Sequence, residues 1–68
     1  MNAQIKYPHI EVQLTGNDGN AFAILGAVTR AMRLEGIDKS EIDQFRDEAT
    51  SGSYDDLLAT VQKWVTVT

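Results

Sequence analysis

Residues 10–28 read IEVQLTGNDGNAFAILGAV, and this stretch decides the fold. Apolar and polar residues alternate over residues 10–14, which is the pattern of a strand with one buried face. Residues 15–20 are rich in glycine, asparagine and aspartate, so they predict a turn. A wide apolar helical face then begins at Asn20 or Ala21 and continues to Glu35. The sequence therefore predicts a strand that passes through a short turn into a central helix.

Two more helices are predicted from the residues that open them. Asp38 is followed three positions later by Glu41, and Ser53 is followed in the same way by Asp56. Both pairs match the capping box, in which two side chains satisfy backbone N–H groups at a helix N-terminus. We therefore expect a second helix to begin after Asp38 and a third to begin after Ser53.

The ends and inner faces of these helices follow from glycines and apolar spacing. Gly36 is placed to end the first helix in the left-handed conformation, and Gly52 is expected to end the second. The second helix has only a thin apolar stripe, formed by Ile42, Phe45 and Ala49. The inner face expected for the third helix consists of Tyr54, Leu57, Leu58, Val61, Trp64 and Val65.

Residues 64–68 (WVTVT) fit either a short strand or the end of the third helix. We favour a strand that pairs with the first one, because an isolated strand leaves its backbone N–H and C=O groups without partners. The predicted fold is therefore α+β, a single domain over residues 1–68 with the order β-α-α-α and a short C-terminal strand. Residues 1–8 are expected to form a loosely ordered lead-in.

Size and composition limit the ways in which this chain can be stabilised. A chain of 68 residues buries only about 60% of the surface that its unfolded form exposes. Cysteine is absent and His9 is the only histidine, so disulfides are excluded and no zinc site is expected. We expect no metal and no cofactor, which leaves efficient packing or self-association as the source of stability.

No membrane-spanning or export segment is expected. The longest apolar run, residues 21–28, is far too short to cross a bilayer. Residues 1–10 lack the basic region and the apolar core of a signal peptide. The sequence therefore predicts a cytoplasmic protein that does not bind membranes.

The net charge of −4 is unevenly distributed along the chain. Residues 35–56 contain eight acidic and two basic side chains and carry −6, whereas the remainder carries +2. Direct nucleic-acid binding is therefore not expected, because the acidic half would repel phosphates. The two helices joined across Gly52 match a helix-turn-helix in outline, but Asp55 and Asp56 would then face the DNA.

Two long stretches, residues 6–33 and 41–65, resemble a family of short uncharacterised proteins encoded by bacteria, phages and prophages. The resemblance covers nearly the whole chain, and its most specific portion is VQLTGNDGNAFAILG at residues 12–26. Further matching portions are EATSGSYDDLL at residues 48–58 and KWV at residues 63–65. The family carries no assigned activity, so the resemblance implies a context but no catalytic or binding residue.

The turn at residues 16–20 (GNDGN) is a candidate anion site. A glycine-rich turn between a strand and a helix can present backbone N–H groups to a phosphate. This turn lacks the lysine and hydroxyl of a P-loop and the third glycine of a dinucleotide motif, and Asp18 would repel an anion. We favour an ordinary tight turn in which Asp18 or Asn20 caps the first helix.

One side of the first helix carries Phe22, Gly26, Thr29, Arg30 and Arg33. An aromatic ring, a bare backbone and two guanidinium groups on one side could bind an acidic partner or a second copy of the chain. We favour a purely structural interpretation, in which Phe22 packs under the strand or the N-terminal segment. In that interpretation Gly26 permits a close crossing and the two arginines are solvated.

The second helix carries an unusual set of acids near its C-terminal end. Asp47 and Glu48 lie where the helix dipole disfavours negative charge, and Asp43 and Asp47 are like charges four residues apart. Local rules broken in this way can mark a functional surface. Neutral variation on a solvated helix is the interpretation that we favour.

Catalysis has little support in this sequence. His9 stands alone beside a proline, and the carboxylates lie on helical faces expected to be exposed, so we predict no enzyme and no catalytic residue. We expect instead a small interaction or accessory module that binds another protein or itself, as a homodimer. The alternative is an acidic nucleic-acid mimic that sequesters a DNA-binding protein through the second helix. The candidate interaction residues are Phe22, Gly26, Arg30, Arg33, Asp43, Asp47 and Glu48.

Overall fold

Two strands and three helices follow one another in the described part of the chain, in the order β-α-α-α-β, and the predicted α+β class is confirmed. The computed structural model describes residues 4–14 and 19–68. The predicted turn lies largely outside these residues, since 15–18 are not described. The elements are β1 (Tyr7–Val12), α1 (Ala21–Leu34), α2 (Lys39–Ala49), α3 (Tyr54–Trp64) and β2 (Val65–Val67).

The two strands pair in parallel, with the three helices forming the crossover that a parallel connection requires. Val65–Val67 is a strand and not a frayed helix end, and it pairs with β1 as predicted. The register is irregular, because several residues of β1 lie between the pairs Tyr7–Val65 and Glu11–Thr66. The Thr66 hydroxyl donates a hydrogen bond of 2.8 Å to the carbonyl of Pro8 in this region.

The first strand begins earlier than the alternating pattern indicated. It starts at Tyr7 and ends at Val12, and the Lys6 N–H also donates to the Lys63 carbonyl at 2.9 Å. The prediction of a loosely ordered lead-in over residues 1–8 is therefore wrong at Tyr7 and Pro8, while residues 1–3 are not described. The cause is β2, which supplies backbone partners to the start of β1.

The ends of α1 follow local rules. The Asn20 side chain accepts a hydrogen bond of 2.8 Å from the Ala23 N–H, so Asn20 is the N-cap. After α1, Gly36 adopts a positive φ of 80° and the Ile37 N–H donates to the Met32 carbonyl at 3.0 Å. This is the helix ending that Gly36 predicted.

The two predicted capping boxes have different outcomes. At α3 the Ser53 hydroxyl accepts from the Asp56 N–H, and the Asp56 carboxylate accepts from the Ser53 N–H at 3.0 Å. At α2 the box is wrong, because Asp38 occupies the N-cap position without a side-chain cap bond. The Glu41 carboxylate instead binds the N-terminal segment.

Gly52 does not end α2 as predicted. The helix ends at Ala49, and Thr50 is the C-cap residue. A Cβ atom at Gly52 would overlap the Asp56 carboxylate. Gly52 therefore makes room for the capping box of the following helix.

The core lies between the sheet and the inner faces of the three helices. The apolar stripe of α2 packs entirely into this core, since Ile42, Phe45 and Ala49 are all buried. The Phe45 and Trp64 rings meet edge to face, with 5.6 Å between their centroids. Apart from these four, the buried apolar residues are Ile10, Val12, Ile24, Val28, Met32, Leu57, Val61 and Val65.

Candidate interaction groove

A groove of about 660 Å³ lies between α1 and α2. Four of its lining residues come from α1 and three from α2, and Thr50, which follows α2, completes the walls. These seven are Phe22, Leu25, Gly26, Thr29, Asp43, Arg46 and Asp47. The structure thus brings together two sets of residues that the sequence presents as separate surfaces.

Phe22 is the most exposed large apolar side chain among the described residues, at 87%. The favoured interpretation, in which Phe22 packs under the strand or the N-terminal segment, is therefore wrong. The buried face of α1 is formed by Ile24, Val28 and Met32. Position 22 is about a third of a turn from that face, so its ring remains outside the core and beside the groove.

Gly26 forms an open part of the groove. A Cβ atom at this position would meet no heavy atom within 4 Å, so the expected close crossing is absent at Gly26. Glycine inside a helix costs about 0.8–1.0 kcal/mol relative to alanine. Gly26 therefore weakens α1 at a position where a larger side chain would contact no other atom of the described chain.

A second cavity of about 250 Å³ continues the groove on the other side of Phe22. Ala49 and Leu57 contribute to its apolar lining. Tyr54 lines this cavity and is 46% exposed, so its assignment to the inner face of α3 is wrong. Its hydroxyl instead donates to the Gly19 carbonyl, which ties the start of α3 to the residue before Asn20. Only the apolar periodicity pointed to Tyr54, and periodicity does not distinguish a core residue from the rim of a cleft.

The acids of α2 are divided between two sides of the helix. Asp43 and Asp47 line the groove, and Asp43 also pairs with Lys39 at 2.9 Å. Glu48 points to the other side of α2, where its carboxylate lies 2.7 Å from Lys63 Nζ and accepts from Trp64 Nε1 at 3.3 Å. The hydrogen bond from Lys63 lowers the pKa of Glu48. Glu48 therefore serves the packing of α2 on α3 and lies apart from the groove.

Arg30 and Arg33 continue the exposed side of α1 beyond the groove, and neither belongs to its lining. α1 contains these two basic residues and no acidic one, whereas α2 has a net charge of −2. Within residues 4–14 and 19–68, neither arginine forms an ion pair. Two arginines without an ion-pair partner among the described residues thus stand beside a helix of net negative charge.

A polar cluster that the sequence did not indicate joins the N-terminal segment to α2 and α3. Lys6 Nζ lies 2.7 Å from a Glu41 carboxylate oxygen, and the Tyr7 hydroxyl donates to that same oxygen at 2.8 Å. Lys6 Nζ also lies 4.4 Å from the centroid of the Trp64 ring. The hydrogen bond from Lys6 lowers the pKa of Glu41, and the same contact raises the pKa of Lys6. Burial of its ring raises the pKa of Tyr7.

The described residues contain no cluster of metal ligands, and their shifted pKa values lie away from the groove. No group of three or more His, Cys, Asp or Glu side chains among residues 4–14 and 19–68 is arranged to hold a metal ion. His9 is exposed on β1. The groups with shifted pKa values belong to the ion pairs of Glu41 and Glu48, and none of them lines the groove. In the same part of the chain, no helix is long and apolar enough to cross a membrane.

No family model, curated protein or solved structure matches this chain. The resemblance to short bacterial and phage proteins therefore stays a prediction. Function is inferred from the chemistry of the groove.

Proposed function

We propose that this domain is a small protein-interaction module without catalytic activity, and that it binds its partner through the groove between α1 and α2. The observation that carries this proposal is Phe22, which is 87% exposed beside the groove. A cytoplasmic location and the absence of direct nucleic-acid binding remain predictions that accompany it.

The groove combines apolar and charged surface in the way that binding sites between proteins do. Phe22 and Tyr54 are exposed aromatic rings next to the cleft that Leu57 lines. Aromatic residues are enriched at the centres of protein interfaces, and burial of apolar surface contributes about 25 cal/mol per Å². Asp43 and Asp47 lie farther along the groove, where they can select a partner by charge.

The presence of glycine at position 26, where alanine would make α1 more stable, supports the same proposal. Alanine would strengthen the helix at this position without meeting another atom of the described chain. A local rule broken without a gain inside the fold is typical of a surface that serves binding. The space over Gly26 is available to a side chain of the partner.

The alternative function, acidic mimicry of a nucleic acid, has less support. The carboxylates of Glu41, Asp43 and Glu48 are paired with Lys6, Lys39 and Lys63, so three of the four acids of α2 already have a cationic partner. Arg46 also lines the groove beside the remaining acid, Asp47. A nucleic-acid mimic needs an uninterrupted array of negative charge, which this surface does not provide.

Site-directed photo-cross-linking tests the proposal. A photoreactive phenylalanine analogue is placed at Phe22, and in a control protein at Leu34, which is 77% exposed at the end of the same helix. In a native host extract, and also with purified protein alone, we expect a specific cross-linked product from position 22 and not from position 34. Equal products from both positions, or none from position 22, would contradict binding through the groove.

A further inference from the structure

We propose that the partner in the groove is a second copy of this chain, in a two-fold dimer in which α1 of each copy lies against α2 of the other. This inference rests on the proposed function, since it names the occupant of the same groove. The charges of the two helices, the position of Phe22 and the direction in which the helices run support this arrangement.

The charges of the two walls are complementary to each other. The outer side of α1 presents Arg30 and Arg33, which have no ion-pair partner among the described residues. The groove side of α2 presents Asp43 and Asp47 together with Arg46, so two of its three charged side chains are acidic. A two-fold interface brings the same patch into contact with itself, so a patch that carries both signs on its two sides is self-complementary.

The short connection between α1 and α2 determines which residues of the two helices lie side by side along the groove. Only residues 35–38 separate α1 from α2, so the C-terminal end of α1 lies beside the N-terminal half of α2. Phe22, at the other end of α1, shares the second cavity with Thr50. A two-fold axis parallel to the groove leaves the position of each residue along the length of the groove unchanged. It therefore places the arginines of one copy opposite Asp43 of the other, and Phe22 opposite the apolar cleft.

A second copy fits this surface better than a basic peptide does. A peptide of uniform positive charge would be attracted by Asp43 and Asp47 but repelled by Arg46 within the groove and by Arg30 and Arg33 beside it. An isolated domain of 68 residues also buries a smaller share of its surface than a larger domain does, and association is a common way to bury more.

The first test is the mass in solution, measured by sedimentation of the purified protein between about 1 µM and 1 mM, a range that covers weak to moderate self-association. We expect a dimer that dissociates on dilution. Phe22→Ala should weaken it by at least about tenfold, as expected for a central aromatic contact. Leu34→Ala is the matched control and should leave it unchanged. A wild-type chain that is monomeric over the whole range overturns the proposal.

A charge exchange tests the pairing itself. Arg30→Glu with Arg33→Glu in one chain should abolish its dimer, because acids would then face acids, and Asp43→Lys with Asp47→Lys should do the same with bases. An equimolar mixture of the two variants should form a heterodimer, because opposite charges then face each other at both contacts: one contact has the original signs and the other has them reversed. Circular dichroism verifies that each variant is folded, and a mixture that stays monomeric overturns the inference.

The outcomes also separate this inference from the function on which it rests. A monomeric wild-type chain that still gives a position-22 cross-link to another host protein retains the interaction module and removes the homodimer. A dimer that is insensitive to Phe22→Ala and to the charge exchange assembles through another surface, which overturns this arrangement.

Discussion

Lys6 Nζ lies 2.7 Å from a carboxylate oxygen of Glu41, so a residue ahead of the first strand is joined to the first turn of α2. The Tyr7 hydroxyl donates to the same oxygen at 2.8 Å. Glu41 stands at the position that would complete the capping box of α2, but its carboxylate instead holds the N-terminal segment against α2.

The pH dependence of stability should report this ion pair and the one at Glu48. Both glutamates have pKa values below the ordinary value of 4.5, through hydrogen bonds from Lys6 and Lys63 respectively. A carboxyl group whose pKa is lowered by folding stabilises the fold above its unfolded pKa and loses that contribution as the pH falls through its folded pKa. We therefore expect the free energy of unfolding, measured with urea, to fall as the pH drops below about 4.5.

The matching variants are Glu41→Gln and Glu48→Gln. Each should lower the stability at pH 7 and make the acid-induced loss shallower, because one titrating ion pair has been removed. Glu35→Gln is the control, since Glu35 is exposed and forms no ion pair with a described residue. An unchanged pH profile in both glutamine variants would show that these pairs do not contribute to stability.

Truncation of the two phenylalanines should change the stability of the monomer by very different amounts. Phe45 is fully buried, so Phe45→Ala should cost about 3–5 kcal/mol, which is most of the stability of a domain this small. Phe22 is 87% exposed, so Phe22→Ala should change the monomer by no more than about 0.5 kcal/mol. Urea unfolding at low protein concentration measures both. A large loss at Phe22 in the monomer would mean that its ring packs within the chain.

Two glycine substitutions should have opposite signs. Gly26→Ala should stabilise the monomer by about 0.5–1 kcal/mol, because the position is helical and open. Gly36→Ala should destabilise it by about 1 kcal/mol, because Gly36 has a φ of 80°. In a small domain, a change of about 1 kcal/mol corresponds to a shift of about 4–8 °C in Tm. Shifts of the same sign would contradict the described backbone.

The two predicted capping boxes can be compared by alanine substitution. Ser53→Ala should cost about 1 kcal/mol, since the Ser53 hydroxyl accepts from the backbone of α3. Asp38→Ala should cost only a few tenths of a kcal/mol, because the Asp38 side chain makes no cap bond and its charge interaction is screened by salt. Thermal unfolding in about 0.5 M NaCl, where the Debye length is only a few ångströms, makes the comparison. Equal losses at the two sites would contradict this difference.

The sequence by itself determined the features that depend on neighbouring residues. It predicted the order of the elements, the buried stripe of α2, the ending of α1 at Gly36 and the capping box at Ser53. It also predicted that the last residues form a strand beside the first, because unpaired backbone groups need partners. In each case the decisive interaction is either within about one helical turn or required of any strand.

The tertiary structure decided what happens to side chains with more than one available partner. Glu41 could cap its own helix, yet it binds Tyr7 across 34 positions of sequence. Glu48 and Asp47 are adjacent in sequence but face α3 and the groove respectively. Phe22 is apolar like a core residue, but it lies on a side of α1 that no other element of the described residues covers. Such outcomes depend on how helices pack around the sheet, and the energy of a contact exists only once that packing brings its two groups together.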